Sequence, residues 1–196
     1  MSNFLPPYRP QAGPYKSRPE LADKHWTASE RCEQAWAVLA HVLDPEVPAL
    51  SVCDLGLVRD IMVDAAGTLA VVLTPTYSGC PATELIERQV LEAIDQAGLG
   101  PARVELRRAP AWSSDWISED GRRKLREYGI APPHLATSDT QPVRFVNRQA
   151  LAEPAVDCPH CASAQTTRVS AFGSTACKAL YKCLSCLEPF EYFKPI

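Results

Sequence analysis

Apolar residues recur along this chain with two different periods, and the switches between them predict its architecture. Cys32, Trp36, Leu39 and Leu43 follow three- and four-residue spacing, which predicts one apolar helix face that stops at Asp44-Pro45. Thr27 and Glu30 form a capping-box pattern at its start, each side chain able to satisfy the other's backbone amide. The period then drops to two. Leu57, Ile61 and Val63 share one parity, 64–67 reads as a turn, and Leu69, Val71 and Leu73 make the returning strand of a hairpin. A helical period resumes from Pro81 through Ala82, Ile86, Val90, Ala93 and Ala97, and Gly98 supplies a left-handed cap. Val104 and Leu106 alternate with Arg103, Glu105 and Arg107, so strand, helix and strand over 69–107 predict a right-handed parallel crossover. A charged helix is expected over 119–128, closed by Gly129, with Trp112 and Trp116 covering an edge of the core.

Proline marks the segments outside this pattern. Residues 1–26 carry five prolines and read as a flexible arm, and 132–154 is a proline- and polar-rich linker. The expected organisation is the arm 1–26, a small α/β (α+β) domain over 27–131 with a short mixed sheet and flanking helices, the linker 132–154, and a ribbon over 155–196. At 196 residues, 46% apolar and 22% charged, the chain can bury one ordinary core with a smaller appendage.

Charge narrows the partners. The net charge is −3, and 27–110 holds 6 Lys/Arg against 12 Asp/Glu, which argues against a nucleic-acid footprint. The ribbon, with 4 Lys/Arg against 3 Asp/Glu, adds no basic surface. No run approaches the roughly 18 apolar residues of a membrane span. The opening residues lack a signal-peptide pattern, so a cytoplasmic, membrane-free protein is expected.

Eight cysteines carry the candidate chemistry. Cys158-Pro159-His160-Cys161 and, 21 residues on, Cys183-Leu184-Ser185-Cys186 are two Cys-x-x-Cys turns spaced as in a zinc ribbon, each supplying two thiolates to one tetrahedral structural zinc. Two disulfides and an iron centre of the rubredoxin kind are the alternatives, and His160 reads as a surface residue. Cys177 and Cys32 read as small buried apolar residues, while Cys53 is either core or a neighbour of Cys80.

Cys80 follows the loop Thr74, Pro75, Thr76 and Gly79, at the expected first turn of the helix beginning at Pro81, where free amides and the macrodipole favour a thiolate. Gly79 would let backbone approach closely. Position 86 is Ile where a tyrosine-phosphatase loop needs Arg, and position 83 is Thr where a dithiol motif needs Cys; a monothiol Cys-x-x-Thr site stays open. Asp44 and Asp54 flank a loop that could converge on Cys80, giving the mixed oxygen and sulfur ligands that suit iron; their other reading is capping and turn formation. Nearby carboxylates would raise a thiol's pKa and so disfavour nucleophilic catalysis.

The residues Asp44-Pro45-Glu46-Val47-Pro48 and Asp54-Leu55-Gly56-Leu57-Val58, followed by TPTYSGCPA at 74–82, resemble the small domain of SufT-like and cytosolic iron-sulfur targeting factors. With PAWSSDWISEDGRRKLREYGIAPP at 110–133, CPHC at 158–161, FGSTACKALYKC at 172–183 and LEPFEYFK at 187–194, residues 27–196 resemble the PaaD (PaaJ) family. That family comprises accessory subunits of the bacterial phenylacetyl-CoA 1,2-epoxidase (phenylacetate-CoA oxygenase) system. The resemblance implies an accessory role in phenylacetate catabolism, assisting iron or iron-sulfur centre assembly in a client subunit, with no autonomous catalysis. It implies the oxygenase and reductase subunits as partners and transient iron or a cluster at Cys80, beside the structural zinc that the cysteine spacing predicts; whether the chain also forms a homodimer stays open at this point. The rivals are a purely structural subunit of the oxygenase complex and a Cys80-dependent thiol oxidoreductase. The chain offers no Glu-x-x-His pair for a di-iron site and no glycine-rich nucleotide fingerprint.

Overall fold

The computed structural model describes residues 26–77, 79–134 and 156–196. The expected arm, Trp26 apart, and most of the expected linker lie outside the described residues. Backbone contacts divide the chain into two units, 1–121 and 122–196. Among the described residues no helix is long and apolar enough to cross a membrane.

The first unit opens with helix α1, Ala28–Leu39. The Thr27 hydroxyl accepts from the Glu30 amide, and the Glu30 carboxylate accepts from the Thr27 amide at 2.8 Å, which completes the capping box. The helix stops four residues before the expected end. Leu43 enters an antiparallel bridge with Ser51, the Val52 amide donates to Val42, and Leu43 is left 49% exposed. The buried face is therefore Ala35, Val38 and Leu39, with Cys32 and Trp36 only half-buried.

Strands β1 (Val58–Val63) and β2 (Leu69–Leu73) form the expected antiparallel hairpin, with an irregularity between Val58 and Asp60. At the turn the Asp64 carboxylate accepts from the amides of Ala66 and Thr68, both at 2.9 Å. Helix α2 (Thr83–Gln96) follows and buries Ile86, Val90 and Ile94. Gly98, at φ +66°, ends it in the left-handed region, as expected. β3 (Ala102–Leu106) runs parallel to β2, in the sheet order β1-β2-β3. Every residue of β2 is buried: an unbroken apolar run occupies the centre of a sheet covered on both faces. Arg31 ties α1 to two turns, donating to Leu99 O at 2.9 and 2.6 Å and to Gly67 O at 2.7 Å.

The loop 44–57 is built by its own side chains. Gly56 sits at φ +67°, and a Cβ there would stand 2.5 Å from the Trp116 carbonyl oxygen, so only glycine fits. Buried Trp112 donates its indole N–H to Leu55 O at 3.0 Å, and the Arg59 guanidinium lies 3.5 Å over the Trp116 ring. Both tryptophans thus close the loop over the core, Trp116 through a 3₁₀ turn at Ser114–Trp116. Helix α3 (Glu119–Glu127) comes next, and the division between the units falls inside it.

The second unit is a four-stranded sheet in the order β4-β7-β6-β5, from β4 (Ile130–Ala131), β5 (Thr166–Ser170), β6 (Lys178–Cys183) and β7 (Pro189–Phe193). β4 pairs parallel with β7, Ile130 opposite Glu191 and Ala131 opposite Tyr192. The expected boundary at 131 therefore falls inside this sheet: two residues are too few to show a period, and the pairing partner lies some sixty positions on. The core is small, comprising Ala131, Val156, Cys158, Ala179, Tyr181, Cys183, Phe190 and Tyr192. Tyr181 stacks on Phe190 at 5.9 Å and meets Tyr192 edge-on at 5.5 Å. Beside it, the buried Lys178 ammonium pairs with Glu191 at 2.9 Å, and the Ser174 amide donates to the same carboxylate at 2.6 Å. Against the opposing effect of burial, these contacts hold the Glu191 carboxyl below its ordinary range.

Candidate functional site

The two Cys-x-x-Cys turns are near-copies of each other. In each, the first cysteine's amide donates to the carbonyl five residues on, Cys158 to Ser163 and Cys183 to Glu188, both at 3.0 Å. The residue after the second cysteine is left-handed in each, Ala162 at φ 58° and Leu187 at φ 66°. These turns bring Cys158, Cys161, Cys183 and Cys186 together, with all four Sγ atoms within 4.8 Å of one another. Cys158 Sγ and Cys186 Sγ are 3.7 Å apart, and Cys161 Sγ and Cys183 Sγ 3.6 Å. A tetrahedron of sulfurs with metal bonds of about 2.3 Å has edges of about 3.8 Å. A disulfide needs about 2.05 Å, so the two-disulfide alternative fails.

Electrostatics agree with a cation at the centre. The amides of Cys186 and Ser185 both donate to Cys183 Sγ at 3.4 Å and lower its thiol to about 6. Cys186 is pushed up to about 12: the Glu188 amide favours its thiolate, but burial and the neighbouring thiols outweigh it. Four sulfurs this close cannot all ionise without a positive charge among them. The group is a four-cysteine metal-binding site, with Cys158 and Cys183 buried and Cys161 exposed. His160 is exposed, and Cys177 is buried with its thiol 3.0 Å from the Thr175 hydroxyl.

Cys80 stands in a different setting. Helix α2 starts at Thr83 with Ala82 as its N-cap, so Cys80 lies in the turn before the helix, its amide donating to Tyr77 O at 3.3 Å and its carbonyl accepting from the Thr83 amide at 3.2 Å. Burial pushes its thiol up, and the Glu46 and Asp44 carboxylates add to the rise; hydrogen bonds from the Ala82 amide and the Tyr77 side chain oppose it without prevailing. The expected stabilised thiolate is thereby corrected to a protonated thiol. Gly79 has open space where a Cβ would stand.

Both loop aspartates hold local structure. Asp44 Oδ1 accepts from the amides of Glu46 and Val47, at 2.9 and 2.8 Å, and is buried. Asp54 Oδ2 accepts from the Ser51 amide and hydroxyl, both at 2.9 Å, and the Ser118 amide donates to the Asp54 carbonyl at 2.9 Å. The Asp44 turn carries Glu46, the first carboxylate to act on Cys80; the sequence signal for it was the short span Asp44-Pro45-Glu46. Thr74, Pro75 and Thr76 line a cavity of about 50 Å³ with Tyr77, Arg108, Ala111 and Trp112. Cys80 and Gly79 are outside that lining. Arg108 and Trp112 were missed as neighbours of this loop, although the parallel pairing of β2 and β3 sends both chains out at the same end.

Residues 33–106 match the family described as iron-sulfur cluster assembly protein, and residues 143–194 match the PaaD zinc beta ribbon domain. Over 169 residues the chain is 46% identical to a subunit of the "Putative 1,2-phenylacetyl-CoA epoxidase" of Escherichia coli (strain K12), covering 86% of this chain and 96% of that protein. A shorter relative, the Fe-S protein maturation auxiliary factor of Porphyromonas gingivalis (strain ATCC BAA-308 / W83), is 34% identical over 89 residues, 45% of this chain and 84% of its own length. The crystal structure of a domain of unknown function, DUF59, from Bacillus anthracis matches at 25% identity and a TM-score of 0.47, covering 50% of this chain and 93% of that one. Fold and site together define an iron-sulfur assembly domain followed by a four-cysteine ribbon. The chain belongs to the PaaD family, alongside that epoxidase subunit.

Proposed function

We propose that this protein is a cytoplasmic accessory factor for a multicomponent phenylacetyl-CoA epoxidase, that it assists iron or iron-sulfur centre assembly in a client subunit, and that it catalyses no turnover of its own. The observation that carries this reading is the position of Cys80 and its carboxylate neighbours inside the segment that matches the iron-sulfur assembly family, in a chain 46% identical to an epoxidase subunit. Zinc occupies the four-cysteine group in this reading, and its chemistry is structural: it neutralises four thiolates and holds two turns that a small core cannot hold alone. Its partners are the oxygenase and reductase subunits, which the ribbon docks.

Iron or a cluster is cargo here. A protonated Cys80 repels no anionic sulfur and gives up its proton only when a cation arrives, so the contact is made on demand and released. Asp44 and Asp54 shape the pocket by fixing the loop, and a mixed thiol and carboxylate donor set suits iron. The raised thiol argues against the oxidoreductase rival, which needs a populated thiolate.

The test is metal and sulfide analysis of client subunits co-expressed with the natural chain or with Cys80→Ser. The variant is expected to keep its ribbon metal and to yield an iron-poor client. A fully loaded, active client would overturn the proposal and favour the structural-subunit reading, as would stable stoichiometric co-purification with client metal content independent of this chain.

A further inference from the structure

We propose that the cavity beside β2 is a binding site for a carboxylate, held by Arg108, Thr74 and Thr76. The site arises from the sheet. β2 and β3 are parallel with Leu73 opposite Leu106, and the Arg107 amide extends the ladder by donating to Leu73 O at 2.8 Å. The chain after β3 therefore runs beside the chain after β2, and Arg108 joins Thr74, Pro75, Thr76 and Tyr77 around one cavity at the carboxyl ends of two parallel strands. Ala111 and the buried Trp112 form its apolar wall, and the Leu55 carbonyl fixes Trp112 in place.

Three of the lining groups lack partners. Among the described residues the Arg108 guanidinium and the hydroxyls of Thr74 and Thr76 make no hydrogen bond or ion pair. Arg108 is exposed and Thr76 half-buried, so both can meet an acceptor that arrives from solvent. A guanidinium fork and two hydroxyls suit a planar, two-oxygen acceptor. Size and charge select among anions. About 50 Å³ admits a few water-sized atoms, hence a carboxylate head but no nucleotide. One cation, in a unit whose next turn brings Glu46 and Asp44 to bear on Cys80, balances a single negative charge better than a phosphate dianion.

The inference goes beyond the proposed assembly role, because Cys80 takes no part in it. The carboxylate is an acidic side chain of a protein or a free small acid. The test is a titration of the full 15N-labelled chain with sodium acetate at constant ionic strength, following the Trp112 indole and the Thr76 and Tyr77 amides by NMR. Saturable shifts are expected, at least tenfold weaker in Arg108→Gln, partly kept in Arg108→Lys, and unchanged in Cys80→Ser. Tighter binding of acetyl-Ala-Glu-Ala-amide than of acetate supports the proposal with a protein side chain as the source, and equal binding supports it with a free acid. Shifts that do not saturate, shifts equal in Arg108→Gln, or tighter binding of inorganic phosphate than of acetate would overturn it.

Discussion

Cys183 and Cys80 both sit in short turns, yet their thiols move in opposite directions. Two amides 3.4 Å from Cys183 Sγ lower its thiol to about 6, while burial and two carboxylates raise Cys80. Proximity to a helix start does not make a thiolate, and neither does the single Ala82 amide on Cys80; Cys183 has two amides and the neighbouring thiols of Cys186 and Cys161 on its sulfur. The ribbon thus gathers four thiols that a cation can hold, and the Cys80 turn keeps a single thiol protonated.

The comparison breaks most visibly when metal is removed. Chelation, or Cys183→Ser, is expected to abolish the signals of β5, β6 and β7 while those of β1, β2 and β3 persist, because structural sites of this kind supply about 10 kcal/mol or more to folding. NMR of the full chain with metal analysis checks this, and loss of the first sheet as well would refute the independence of the two units. Next in size is Gly56→Ala. Its Cβ would strike the Trp116 backbone from a left-handed residue, so the first unit should lose about 2–4 kcal/mol in denaturant unfolding while ribbon metal content is unchanged. The smallest effect is expected of Glu46→Gln. The Cys80 thiol lies above its ordinary value, so iodoacetamide alkylation should climb as pH rises through that raised pKa; removing one raising carboxylate should move the rise toward lower pH. A rise that stays where it was would show that Glu46 does not act on Cys80.

Local rules made much of this legible in the sequence. Thr27 and Glu30 satisfy each other within one turn, the hairpin follows from alternation, and Gly98 ends a periodic helix, so each can be read from a few neighbouring residues. The four-cysteine group was equally open, since its two halves are each a four-residue turn. What stayed hidden depends on distant partners. The early end of α1 follows from a bridge eight residues on, β4 exists only through β7, and the thiol of Cys80 is raised first by burial and then further by carboxylates more than thirty residues earlier. Asp54 shows the same limit: its carbonyl accepts from Ser118, sixty-four positions away, and nothing at residue 54 announces it.

The left-handed backbone at Ala162 and Leu187 has a consequence for proteolysis. Holding a non-glycine residue there costs about 1–2 kcal/mol each, a strain that persists only while the surrounding turn is enforced. A copy without an ion would have two strained turns favouring its opening, and its ribbon is expected to be cut by added protease sooner than that of the metal-loaded chain. The same two residues that shape the ribbon would make its resistance to protease depend on bound metal.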